Sequence, residues 1–257
     1  MRIVETVAEM RAARHDGVLG LVPTMGALHG GHAALFAAAR AECETVVASL
    51  FVNPAQFSER SDLDAYPSDL DRDAAYAAEH GVDLIFAPGG EEMYPRGFAT
   101  WVEPKGAARG LEADHRPGHF RGVATVCLKL FNIVRPDRAY FGRKDAQQVA
   151  VLKQLVRDLN LELELRVVET VRDPDGLALS SRNAHLSADE RRRALAIPRA
   201  LATRDADAAR AVLRDAGIAT DYVAVADLDG PTLAVAARVG STRLIDNVLL
   251  ATEGAPA

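Results

Sequence analysis

The stretch from Gly17 to Asn53, GVLGLVPTMGALHGGHAALFAAARAECETVVASLFVN, restricts the fold more than any other part of the chain. Leu19 to Val22 is a short apolar run that enters a Pro-Thr-Met-Gly turn. The next segment sets Leu35, Phe36, Ala39 and Cys43 on one face at helical spacing, and Val46 to Val52 is a continuous apolar run of strand length. This spacing predicts strand, helix and strand within roughly 35 residues, a unit that requires parallel strands and a right-handed crossover. An apolar run without alternation fits a strand covered on both faces.

The pattern repeats. Asp69 to His80 reads as a helix stopped at Gly81, and VDLIFAP as a buried strand. RGVATVCLKLFNIV reads as a helix ending before Pro136 and RAYFG as a short strand. Asp145 to Asn160 reads as a helix with Asp145 as its N-cap, and LELRVVETV as the closing strand. The alternation predicts an open, doubly wound, Rossmann-like α/β domain over residues 1–170. After Thr170 it ends. DPDGLALSSRN is a loop, Ser187 and Glu190 form a capping box for a helix to about Ala202, and a second helix stops at Gly217. DYVAVAD and STRLIDNVLLAT read as strands separated by a Gly-Pro turn, so residues 171–257 are expected to form a small α+β lid domain.

Composition narrows the function. The 257 residues carry 36 acidic and 30 basic side chains, a formal charge of −6, which argues against nucleic acid as a partner. No apolar run approaches the roughly 18 residues that span a bilayer. The first residues show no secretory signal pattern. Cys43 and Cys127 sit far apart in apolar surroundings and read as buried thiols. The expectation is a soluble cytoplasmic protein.

Four polar clusters fall where chemistry is expected. Pro23 to His32 links a strand to its crossover helix, the ligand edge of a parallel sheet, where helix N–H groups attract phosphate. His29 and His32 are spaced to share a face there, and each can donate to a phosphate oxygen. The glycine spacing matches neither a P-loop nor a dinucleotide fingerprint. Asn53 and Gln56 in FVNPAQF follow the next strand, and their amides suit a small hydroxylated acid. Lys144, in FGRKDAQQ, opens a helix as a compact charge for phosphate. Ser180, Ser181 and Arg182 suit polyphosphate oxygens and a charged leaving group. Taken singly each also fits ordinary turn or surface chemistry; four in succession point to one site.

PTMGALHGGH, FVNPAQF, RPGHFRGV, FGRKDAQQ, DGLALSSRN and the final STRLIDNVLL occur in the order and spacing of the pantoate–β-alanine ligases (pantothenate synthetases). The chain resembles that family over nearly its whole length, and HxGH with a later Ser-Ser-Arg loop resembles the wider nucleotidylyltransferase superfamily. The resemblance implies an AMP-forming ligase. ATP and pantoate would give pantoyl adenylate and pyrophosphate, and β-alanine would then displace AMP to give pantothenate. It places ATP against Met25, Gly26, Ala27, Leu28, His29, Gly30, Gly31 and His32, against Gly142, Arg143, Lys144 and Asp145, and against Val171, Leu179, Ser180, Ser181 and Arg182. The catalytic set is His32, as proton donor, with His29, Lys144, Ser180, Ser181 and Arg182. Pantoate falls to Gln56, Gln148 and Asn53, and β-alanine also approaches Gln56. Mg2+ is implied on the triphosphate, with Asp71 and Asp73 as candidate ligands. Arg116 and His119 match a pair read as structural or dimer-related and are left out of the catalytic set, and the family suggests a homodimer. The Ser180–Arg182 loop is expected to close over ATP.

Three residues depart from the family's usual pattern: Gly30 where an acid is common, Arg143 where Glu is common and Leu179 where Met is frequent. The first two raise the local positive charge. The competing readings are another nucleotidylyltransferase that stops at the nucleotidyl product, and a nucleotide-binding module without catalysis.

Overall fold

The computed structural model describes residues 1–13, 17–58, 60–64 and 66–250. By contacts the chain divides into two compact units, Met1–Phe141 with Val151–Val168, and Gly142–Ala150 with the residues from Glu169 onward. Residues 142–150, expected within the first domain, thus group with the second unit.

The first unit is built on six strands: β1 (Arg2–Val4), β2 (Leu19–Thr24), β3 (Thr45–Leu50), β4 (Leu84–Phe86), β5 (Arg138–Gly142) and β6 (Glu164–Val168). Their order across the sheet is β1–β4–β3–β2–β5–β6. The pairs β1–β4, β4–β3, β3–β2 and β2–β5 are all parallel, with Leu19 opposite Thr45 and Thr24 opposite Leu50. The chain moves outward one way from β2 through β3 to β4 and the other way from β5 to β6. The order therefore reverses between β2 and β5, and the crevice of such a sheet opens beyond the carboxyl ends there. This is the doubly wound sheet that the repeating pattern predicts.

The core on one face joins Val22, Val46, Ala48 and Ile85 of the strands to Leu35, Phe36 and Ala39 of the Gly30–Glu42 helix. It also takes in Ala74 and Ala77 of the Leu70–Glu79 helix. That helix is capped by Asp69 and stops at His80, as the spacing predicts. The N-terminal strand and the Val7–Ala12 helix after it are too short to show a periodicity in the sequence. Thr6 and Glu9 make a capping box there, each side chain bonding the other's backbone N–H. Cys43 and Cys127 are buried and unpaired by disulfide. Burial pushes the Cys127 thiol up to about 12.

The second unit carries an antiparallel sheet of β7 (Ala219–Asp227), β8 (Pro231–Val239) and β9 (Thr242–Leu249) in that order. The sequence suggests only the outer two strands. TLAVAARV is alanine-rich and central, covered on both faces along most of its length, so it shows neither alternation nor strong β propensity. Ala251 and Thr252 of the expected last strand lie outside the described residues. Ala194, Ile197, Ala200, Leu201, Ala209 and Leu213 of three helices cover the sheet's Leu233, Val235 and Val239. The expected single helix to Ala202 is two, Ala188–Ala194 and Ala196–Ala202. Pro198 has no N–H and its ring conflicts with the carbonyl four residues back, so it is accommodated only in the first turn of a new helix.

Candidate active site

In the first unit the loop leaving β2 turns through two left-handed residues, Gly26 at φ +88° and Ala27 at φ +52°. Such a conformation strains an alanine, and its neighbours must hold it. Asp73 does so. It sits in the first turn of the Leu70–Glu79 helix, 3% exposed, and accepts from Ala27 N–H at 2.7 Å and Leu28 N–H at 2.9 Å. Gly26 is required twice over, because a Cβ there would lie 2.7 Å from the same carboxylate.

The two histidines cap the following helix reciprocally. His29 is the N-cap of Gly30–Glu42, and its Nδ1 accepts from Gly31 N–H at 3.1 Å. Nδ1 of His32 accepts from His29 N–H at 3.2 Å, and the ring centroids are 4.3 Å apart. A nitrogen that accepts from a backbone N–H carries no proton, so in each neutral ring the proton is on Nε2. The HxGH spacing is therefore a capping box built from imidazoles that sets two Nε2–H donors at the helix start. The sequence reading expects the backbone amides here to bind phosphate. Those of Ala27, Leu28, His29 and Gly31 are instead engaged by Asp73 and the two rings.

Beyond β3, Asn53 caps a 3-10 turn, Pro54–Gln56. Its Oδ1 accepts from Ala55 N–H and the Tyr94 hydroxyl, and its Nδ2 donates to Gln56 Oε1 and Gly122 C=O. Every hydrogen-bonding position of this amide is filled by protein. Gln56 Nε2 in turn donates to Met25 Sδ at 2.9 Å, linking this turn to the loop after β2. The Gln56 carbonyl accepts from His119 Nδ1 at 3.0 Å and Arg116 Nη2 at 3.4 Å. Arg116 and His119 thus hold the backbone of the turn. The His119–Val134 helix approaches so closely that a Cβ on Gly122 would lie 2.2 Å from Ala55 O. Asp71 is exposed while Asp73 is buried and occupied, and residues two apart do not share a helix face. The pair does not fit a shared magnesium site. Among the described residues no group of three or more His, Cys, Asp or Glu is arranged to hold a metal.

In the second unit Gly142 opens a 3-10 turn, Arg143–Asp145, ahead of the Ala146–Asp158 helix, so Asp145 lies within a turn and is not the expected N-cap. Arg143 pairs with Glu169 at 2.7 Å and faces Asp229 at 3.6 Å. Its charge is countered locally, and the unusual arginine changes the field less than its sequence position suggests. Lys144 is half-buried, with Nζ 4.0 Å from Asp145. Gln148 lies half-buried in the first turn of the helix that follows. Val171 and Leu179 are joined by a 2.9 Å backbone bond across a tight hairpin, and Ser180 Oγ accepts from Arg182 N–H before the Ser181–His185 turn. Two neighbours on β9 secure both segments. Asp246 holds Arg172 through two bonds of 2.6 and 3.0 Å, and Asn247 Nδ2 donates to the carbonyls of Arg143 at 2.9 Å and Lys144 at 3.0 Å.

A family model described as "Pantoate-beta-alanine ligase" matches residues 2–249. The chain belongs to the pantoate–β-alanine ligase family. It is 51% identical over 280 residues to a pantothenate synthetase of Chloroflexus aurantiacus, covering 99% of this chain and all of the relative. A crystal structure of pantothenate synthetase from Thermus thermophilus superposes with a TM-score of 0.92 at 47% identity, over 96% of this chain and 99% of that one. A pantoate-beta-alanine ligase from Francisella tularensis, solved with "Beta-gamma ATP and Beta-alanine", gives a TM-score of 0.88 at 36% identity, over 97% of each chain.

Sequence reasoning in the ligase frame missed the loop-holding role of Asp73 and overlooked Tyr94, Asp246 and Asn247. Only the last two had a local signal, as polar residues interrupting the apolar run of STRLIDNVLL. Tyr94 acts from a segment that carries no motif.

Proposed function

We propose that this chain condenses pantoate with β-alanine at the expense of ATP, yielding pantothenate, AMP and pyrophosphate through pantoyl adenylate. The observation that carries the reading is the reciprocal capping of His29 and His32, which supplies two oriented Nε2–H donors at the carboxyl end of the central strand β2. A triphosphate requires donors of this kind. The pantoate carboxylate attacks the α-phosphorus, a carboxylate–phosphorus bond forms, and the bond to pyrophosphate breaks. His29 and His32 donate to the phosphate oxygens as charge moves to the leaving group, and Lys144, Arg182, Ser180 and Ser181 are assigned to the same charge. The neutral amine of β-alanine then attacks the acyl carbon, AMP leaves with the electrons of the acyl–oxygen bond, and the amine gives up one proton to solvent to leave the amide. No covalent enzyme intermediate is needed.

In this reading Met25 to His32, Gly142 to Asp145, Val171 and Leu179 line ATP, while Gln56 and Gln148 contact pantoate and Gln56 also meets β-alanine. Asn53, fully engaged by protein, serves through Gln56. Magnesium is assigned to the triphosphate, as part of the substrate MgATP. A homodimer in the cytoplasm is the setting proposed from the family; among the described residues no helix is long and apolar enough to cross a membrane.

ATP–pyrophosphate exchange with magnesium, with and without pantoate and without β-alanine, tests the reading. Pantoate-dependent exchange, lost in His32→Ala and Lys144→Ala, is the expected result. A folded, ATP-binding protein with no such exchange would overturn it.

A further inference from the structure

The Gln56 amide has one permitted orientation, and a residue outside every motif helps impose it. Asn53 is 1% exposed, so its amide bonds without competition from water. A backbone N–H only donates and a backbone C=O only accepts. Ala55 N–H at 3.2 Å therefore fixes which end of Asn53 is Oδ1, and Gly122 C=O at 3.2 Å fixes which end is Nδ2. Two assignments follow. The Tyr94 hydroxyl, 2.9 Å from Oδ1, must donate, and Gln56 Oε1, 3.0 Å from Nδ2, must accept. The carbonyl end of Gln56 is thereby committed to protein, and Nε2 is the end turned towards Met25 Sδ. A thioether is a weak acceptor, readily displaced by a carboxylate or hydroxyl oxygen.

We propose that Tyr94 is a positioning residue which, together with Ala55 N–H and Gly122 C=O, holds Asn53 so that the Gln56 amide turns its N–H to the acid substrate. The proposal rests on the reading that pantoate meets Gln56, and it adds a preference: the end of the amide turned towards Met25 offers an N–H, which suits an acceptor oxygen on the acid. The Tyr94 ring is seated independently of its hydroxyl, stacked on Trp101 at 5.8 Å and edge-on to Phe98 at 5.1 Å. Burial pushes its phenol up to about 12, so it remains a donor throughout the neutral range.

Exchange kinetics test this, with the KM values for pantoate and ATP measured separately in wild type, Tyr94→Phe, Trp101→Phe and Gln56→Glu. Tyr94→Phe removes one neutral buried bond and should raise the pantoate KM about three- to tenfold while the ATP KM stays within about twofold. Trp101→Phe disturbs the same aromatic packing without touching Asn53 and should leave both KM values unchanged. Gln56→Glu keeps an acceptor for Asn53 but replaces the N–H with an anionic oxygen. It should lower kcat/KM for pantoate at least about a hundredfold in a protein that melts like wild type. A normal pantoate KM in Tyr94→Phe, or an equal rise in Trp101→Phe, overturns the relay and leaves the ligase reading standing. Wild-type protein without pantoate-dependent exchange overturns both.

Discussion

Replacing Asp73 with alanine removes both acceptors that hold the turn after β2. Ala27 and Leu28 N–H lose bonds of 2.7 and 2.9 Å to a carboxylate that is 3% exposed. A hydrogen bond to a charged partner contributes about 1.5–3 kcal/mol, and a buried donor left without a partner costs about 1–3 kcal/mol. Ala27 adds about 1–2 kcal/mol of left-handed strain to the same turn. Rearrangement of the loop relieves part of the sum, so a net bias of about 2–4 kcal/mol against the loop conformation that Asp73 holds, the one proposed to bind ATP, is expected. That corresponds to a rise of about 30- to 1,000-fold in apparent ATP KM, since affinity scales with the competent fraction. The sheet and the Leu70–Glu79 helix should survive, because Asp69 and not Asp73 is the cap. The assay is pantoate-saturated exchange against ATP concentration, with circular dichroism to verify folding and with magnesium varied at each ATP level. An ATP KM within about threefold of wild type would refute the reasoning. So would recovery of the variant by excess magnesium, which would make Asp73 a metal ligand and not a loop holder.

Three further outcomes follow from the same geometry. His29→Asn retains a good N-cap side chain but no Nε2–H. Thermal stability should therefore stay within about 1 kcal/mol of wild type while exchange falls at least about a hundredfold; near-normal exchange would show that His29 matters only as a cap. Asn247→Ala withdraws the donor shared by the Arg143 and Lys144 carbonyls and should weaken ATP use about tenfold while leaving the pantoate KM alone, read from the same two titrations. The alkaline limb of stability reports Cys127, whose thiol rises from 9.0 unfolded to about 12 folded through burial. A raised acid of this kind stabilises fully below pH 9, and its contribution falls by about 1.4 kcal/mol per pH unit as pH climbs from 9 towards 12. Urea unfolding at pH 8 and 10 should show this loss in wild type and a shallower one in Cys127→Ala. Equal slopes would refute the assignment.

The legible parts of the chain are those where a local rule and the tertiary environment agree. Asp69 caps its helix and His80 ends it, Ser187 and Glu190 form their box, and Val46 to Leu50 is a strand buried on both faces. The rule misled where the environment took over. β8 reads as neither strand nor helix because its alanines are suited to the space between β7 and β9, and the helix before Ala202 breaks because Pro198 tolerates only a first turn. For the site, His29, His32, Gln56 and Lys144 stand in the sequence as motifs, whereas their supports lie far away along the chain. Asp73 reaches Ala27 across 46 positions, Tyr94 reaches Asn53 across 41, and Asn247 reaches Lys144 across 103.

The sequence by itself determined the alternation of strands and helices, and it supplied the candidate ligand edge of the sheet and the groups proposed to meet phosphate and a small acid. Local periodicity, capping and side-chain chemistry need no knowledge of the rest of the fold. Only the tertiary structure decided which nitrogen of each histidine carries its proton, which end of the Gln56 amide faces Met25, and that Asp73 holds a loop and Arg143 has its charge countered. Each depends on a partner brought near by folding, and a hydrogen bond's direction is set by what stands opposite it.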